Sequence, residues 1–138
     1  MRTIEEGAAS TDRYPVSIKG VLLLEQAVLL VKNDRGEWEL PGGRIEPGEM
    51  PAQTLVREFE EELALSVAVE AAIDSYLFEV VPGKNVFIVT YGCRLAGQYH
   101  PRLSEEHSEY RLFPLADLAN IRLPMGYRLS IEKWHSRH

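Results

Sequence analysis

The sequence predicts one α/β domain with a substantial sheet, and three observations carry that expectation. Val16 to Leu24, Ala27 to Lys32, Val67 to Val81 and Val86 to Leu95 are long β-rich runs. Between them, from Pro51 to Leu65, the apolar residues Ala52, Leu55, Val56, Phe59 and Leu63 recur at helical intervals. The 138 residues, 45% hydrophobic and 26% charged, suffice for one domain with an adequate core.

Taken in order, Met1 to Arg13, with Gly7-Ala8-Ala9-Ser10, reads as a loosely held arm, which leaves residues 14–138 as the domain. The first two strands join at Glu25-Gln26 and are expected to pair. Asn33 to Gly36 is a turn, and Trp38 to Leu40 a short strand. Pro41 to Gly48 holds three Gly and two Pro and reads as a loop. Pro51 suits a first helical turn, where its missing N–H costs nothing. Pro82 to Asn85 turns one long strand into the next. Tyr110 to Leu115 is a further strand, followed by a short helix near Leu115 to Ala119. Met125 to His135 is a final helix, with Tyr127, Leu129, Ile131 and Trp134 partly on one side.

The chemistry concentrates on the first helix. Its apolar residues form one stripe, while Glu58, Glu61 and Glu62, at i, i+3 and i+4, cluster on another face. Four residues after Glu58, Glu60, Glu61 and Glu62 stand Glu62, Ala64, Leu65 and Ser66, so no cation is expected to offset the repulsion. The cluster also lies in the C-terminal half of the helix, where the macrodipole disfavours anions. A solvated acidic face fits poorly with both penalties. An oxygen-only site for Mg²⁺, with Mn²⁺ as a substitute, fits better.

From Gly43 to Leu65 the chain reads Gly, five residues, Glu49, seven residues, then Arg57-Glu58-Phe59-Glu60-Glu61-Glu62-Leu63-Ala64-Leu65. This resembles the signature of the Nudix hydrolases, G-x5-E-x7-R-E-U-x-E-E-x-G-U, with Leu40-Pro41-Gly42 as a familiar approach to it. Ala64 departs, standing where the family has Gly. Either a left-handed turn costing roughly 1 kcal/mol or one more residue of helix follows from that departure.

The resemblance implies a Nudix α/β/α sandwich with a mixed sheet. It also implies hydrolysis of a nucleoside diphosphate linked to another group, a small-molecule substrate. Glu58 and Glu62 are then metal ligands, Glu61 a ligand or water-orienting group, and the Gly42 carbonyl a further metal contact. Glu49 and Arg57 correspond to the family's ion pair between loop and helix, which makes Arg57 a positioning residue. Arg44, beside Gly43 in the Gly-rich loop, is the candidate phosphate contact. The general base is either a box glutamate or a loop glutamate, for which Glu106 stands nearest the family's position. A solvated acidic loop is the plainer reading of Ser104 to Glu109, and His107 is expected to be exposed there.

A formal net charge of −6 argues against a nucleic-acid surface but not against a nucleotide, because bound metal reverses the local sign. Cys93 is alone, so a reducing cytoplasm is the expectation. No long apolar run suggests a leader or a membrane span. His100, His135 and His138 lack ligand spacing, which argues against zinc. A homodimer is compatible with all of this. So is a module that binds nucleotides or regulates without turnover, although such a module has no need of the carboxylate cluster.

Overall fold

The computed structural model describes residues 13–105, 107 and 109–138; the arm expected over Met1 to Arg13 lies, except for Arg13, outside them. The elements run β1 (Val16–Leu24), β2 (Ala27–Lys32), β3 (Trp38–Glu39), β4 (Gly42–Arg44), α1 (Pro51–Leu63), β5 (Val67–Val81), β6 (Lys84–Leu95), β7 (Glu109–Pro114), a 3₁₀ turn (Leu115–Asn120) and α2 (Met125–His135). The predicted loop over Pro41 to Gly48 is therefore interrupted by a short strand, and the short helix after β7 is 3₁₀ rather than α.

The sheet is mixed. β5 and β6 form a long antiparallel hairpin, and β6 runs parallel to β1 from Val16↔Phe87 to Leu22↔Cys93. The other side of β1 is shared: β4 pairs with its first half, Ile18 opposite Gly43, and β2 with its last residues, Leu24 opposite Ala27. β2 then pairs antiparallel with β7 and β3. Glu25, with φ of 59°, makes the tight connection that the sequence expects between β1 and β2.

Side-chain alternation splits the core into two layers. Ile18 and Leu22 of β1, with Leu29 and Val31 of β2, pack under Leu55, Phe59 and Leu63 of α1. Val21, Val28 and Leu30 face the other way, against Tyr127, Ile131 and Trp134 of α2. One helix on each face gives the α/β/α sandwich. Gly20 sets how closely α1 approaches, since a Cβ there would stand 2.8 Å from the Phe59 ring. On α2 the buried stripe is Tyr127, Ser130, Ile131 and Trp134, and Leu129 is exposed, contrary to expectation, one position off that stripe. The strand aromatics Tyr76 and Phe78 pack on the α2 layer, and Phe78 meets the Tyr127 ring at 5.9 Å. Cys93 is buried, which pushes its thiol up to about 12 and leaves it inert as a nucleophile.

Candidate active site

The predicted helix spans Pro51–Leu63, with Pro51 in its first turn and the Gln53 side chain accepting from the Met50 amide at 2.8 Å. It stops at Ala64, which takes the left-handed conformation (φ 55°, ψ 36°). The amides of Ala64 and Leu65 close onto the carbonyls of Glu60 and Phe59. Of the two alternatives left open by the missing glycine, the left-handed turn is the one adopted. Tertiary packing of Leu63 and Leu65, both fully buried, outweighs the cost of the Cβ.

Arg57 is the centre of the site. Its guanidinium binds Glu49 through two nitrogens, at 2.6 and 3.1 Å, and reaches the carboxylates of Glu58 at 3.1 Å and Glu61 at 3.2 Å. Glu46 stands 3.6 Å away, and the Arg44 carbonyl accepts a hydrogen bond at 3.2 Å. The expectation of an unopposed glutamate cluster is therefore corrected: Arg57 and Glu61 are themselves an i,i+4 pair, with the cation on the N-terminal side. One cation still faces four carboxylates, so an excess of negative charge remains.

Glu49 is the best-held of the four. Hydrogen bonds from Arg57 and the Thr54 hydroxyl, opposed by partial burial and aided by the Glu46 amide, bring its carboxyl down to about 2. Hydrogen bonds to Glu49, opposed by partial burial and aided by the charges of Glu58 and Glu46, push Arg57 above its usual range. Thr54, fully buried, and Glu46 are site residues that sequence reasoning missed. Neither belongs to a spacing that singles it out.

The Gly-rich approach explains itself sterically. A Cβ on Gly43 would collide with the Glu58 carboxylate, and one on Gly42, whose φ is +146°, would strike the Ile18 carbonyl oxygen. Glycine at both positions lets the β4 backbone lie directly against Glu58. Glu58 is mostly covered, Glu61 is open to solvent, and Glu62 is buried at 4% exposure. Arg44 is exposed, with its side chain turned to the face of β4 away from α1.

Glu106 lies outside the described residues. The segment before it is nevertheless tied to the end of α1: the amides of Arg102 and Ser104 donate to the carbonyls of Leu63 and Glu62 at 2.8 and 2.9 Å. His107 is not exposed, as the sequence suggested, but tucked in with its Nε2 3.3 Å from Glu39. Glu39 in turn faces the buried Lys19 at 3.9 Å. Burial works against ionising Glu39, but Lys19, His107 and Asn33 overcome it and bring the carboxyl down to about 2. Burial likewise disfavours the Lys19 ammonium, yet Tyr127 and the carboxylates of Glu39, Glu62 and Glu58 raise its pKa. This Lys19–Glu39–His107 group was invisible to sequence spacing because its members come from β1, β3 and the loop before β7.

A divalent cation suits the donor chemistry: oxygen-only ligands, one guanidinium among four carboxylates, and a backbone pressed against Glu58. The site is not preassembled. Among the described residues no three acidic, His or Cys side chains converge as a metal would require. Glu58 and Glu61 lean instead on Arg57, at 3.1 and 3.2 Å.

With the geometry in view, comparison with known proteins is informative. A MutT-like protein of Streptomyces ambofaciens is 30% identical over 124 residues, covering 84% of this chain and 79% of its own length. The mitochondrial ADP-ribose pyrophosphatase of Rattus norvegicus is 44% identical over 59 residues, 43% of this chain. The match spans only 16% of the rat protein's length. The crystal structure of a MutT NUDIX hydrolase from Burkholderia pseudomallei superposes with a TM-score of 0.77 at 25% identity, covering 88% of this chain and 98% of that one. The NUDIX domain itself matches residues 13–134, β1 to α2 with Arg57 and its carboxylates inside. The chain belongs to the NUDIX family.

Proposed function

We propose that the chain is a Mg²⁺-dependent hydrolase, with Mn²⁺ as a substitute, that cleaves the pyrophosphate bond of a nucleoside diphosphate linked to another moiety. The observation that carries this reading is the anion excess around Arg57, with the glycine backbone of β4 lying directly against the Glu58 carboxylate. The names of relatives point the same way, since ADP-ribose pyrophosphatase is a hydrolase of such a bond.

Glu58 and Glu62 would hold the ion, with Glu61 swinging in from solvent and the Gly42 carbonyl beside them. When bound, the ion supplies charge neutralisation at the diphosphate and lowers the pKa of water. Glu49 and Arg57 position the loop on the helix, and Arg44 and Gly43 meet the substrate's phosphates. Water's oxygen bonds to one phosphorus, the bridging P–O bond breaks toward the other phosphate, and the water proton passes to a carboxylate. Glu61 and Glu106 are the two candidates for that carboxylate. Glu106→Gln separates them: a loss mainly in kcat assigns the base to the loop, and a rate within twofold of wild type returns it to the helix.

A panel of nucleoside triphosphates, dinucleoside polyphosphates and nucleotide sugars, assayed with Mg²⁺ by phosphatase-coupled phosphate release, tests the proposal. Turnover of at least one substrate, abolished by excess EDTA, is expected. Full hydrolysis in EDTA would overturn the metal mechanism, and no turnover across the panel would overturn the enzymatic reading.

A further inference from the structure

Behind β4 lies a cleft of about 630 Å³, lined by Arg13, Tyr14, Arg44, Lys84, Asn85 and Val86 among others. It is the more notable because the chain as a whole carries a net charge of −6. Three cations meet here from three separate parts of the sequence: the residues before β1, the strand β4 and the start of β6. Several other exposed cations pair with carboxylates, as in Arg35–Glu37, Arg94–Glu70, Arg111–Glu109 and Lys133–Asp74. Among the described residues Arg13, Arg44 and Lys84 form no ion pair and no acidic residue is among those lining the cleft, although the Glu79 carboxylate accepts a hydrogen bond at 3.0 Å from the amide of Gly83, which lines it. Like charges gathered without counter-ions cost stability, so an anion that enters is favoured by all three at once.

The cleft adjoins the carboxylate site. Arg44 directly follows Gly43, whose backbone touches Glu58, and β4 is three residues long and pairs with β1 alone. A ligand crossing the open edge of that short strand passes from the Arg57–Glu58 side to the cationic side. Tyr14, 42% exposed at the cleft, adds an aromatic face on which a planar group stacks.

We infer that this cleft binds further phosphate on the group attached to the nucleoside diphosphate. The chain's substrates are then phosphate-rich, as a nucleoside triphosphate or dinucleoside polyphosphate is, rather than nucleoside diphosphates carrying a neutral sugar. The inference rests on the hydrolase reading above. A neutral sugar would leave three unpaired cations unanswered, whereas each phosphate oxygen placed there gains a charge-assisted hydrogen bond.

Two readouts test it. In the first, the full chain with Mg²⁺ is assayed on ATP, diadenosine tetraphosphate, ADP-ribose and UDP-glucose, as wild type, Lys84→Ala, Lys84→Arg and Arg13→Ala. The expected result is a wild-type preference for the first two. The ratio of kcat/KM for ATP to that for ADP-ribose should fall about fivefold to tenfold in each alanine variant, mostly through KM, with Lys84→Arg restoring it. A preference for the sugars, or a ratio unmoved by the substitutions, would overturn the inference and leave the hydrolase reading intact. In the second, inorganic tripolyphosphate binding is measured by calorimetry in EDTA, which needs no turnover. Wild type should bind with a marked dependence on salt, and Lys84→Ala should bind several-fold more weakly. If nothing in the panel is hydrolysed, the hydrolase reading falls while this measurement still decides the cleft. Equal binding by wild type and variant overturns it.

Discussion

Two charged groups, one formed by α1 and the loop before it and the other joining β1, β3 and the loop before β7, differ in composition. Around Arg57, the carboxylates of Glu46, Glu49, Glu58 and Glu61 share one guanidinium at the protein surface. Around Glu39, one carboxylate is met by the Lys19 ammonium and the His107 ring, all of them largely shielded from water. The first group has more anions than its cation neutralises and is open enough to admit another cation. The second is already supplied with positive partners and is shut in. An acidic cluster therefore suggests a metal only when its own cations have been counted. By that count Arg57 marks the site proposed for an ion and Glu39 marks a structural junction.

The largest effect that separates the two is catalytic. Glu58→Gln should lower kcat by at least roughly 10²-fold, as loss of an electrostatic stabiliser does, while its melting temperature stays near wild type. A variant that keeps the wild-type rate would remove the functional half of the contrast. Glu39→Gln should act the other way, through stability. It strands the buried Lys19 ammonium, with a loss on the order of 3 kcal/mol, read by urea titration.

Acid unfolding sharpens the same point. Glu39 ionises near 2 in the fold against 4.5 when free, so its contribution is complete above about 4.5 and drains away as the pH falls toward 2. Wild type should lose stability steeply across that window, and Glu39→Gln should show a shallower slope in pH-dependent denaturation. An identical slope would mean that Glu39 is not held by Lys19 as described.

The smallest predicted effect concerns the helix exit. Ala64 pays for a left-handed backbone that glycine adopts freely, so Ala64→Gly should gain up to about 1 kcal/mol in thermal melting. A loss would mean that the backbone there prefers the helix.

How much of this could be read from the chain alone follows from which contacts are local. The α/β class, the β1–β2 pairing and the helix from Pro51 were legible because periodicity and turn residues are properties of neighbours in sequence, whereas the sandwich was implied only by the resemblance to the Nudix signature. The glutamates and Arg57 were legible through one short motif, whereas the Arg57–Glu61 pair places its cation before the glutamate, the reverse of the usual stabilising order on a helix. Lys19, Glu39 and His107 stayed hidden because three elements far apart in sequence must first assemble. The strand at Gly42–Arg44 is illegible in the sequence because its pairing comes wholly from β1 and not from propensity, which three small or polar residues cannot express.

The most direct test of the central claim is Mn²⁺ binding followed by electron paramagnetic resonance, on wild type, Glu58→Gln and Glu39→Gln. Each protein is studied at a temperature where its circular dichroism is native. The account predicts that Glu58→Gln binds Mn²⁺ at least about tenfold more weakly, as loss of a charged ligand requires, while Glu39→Gln retains the wild-type affinity. Wild-type affinity in Glu58→Gln, or an equal loss in both variants, would contradict it.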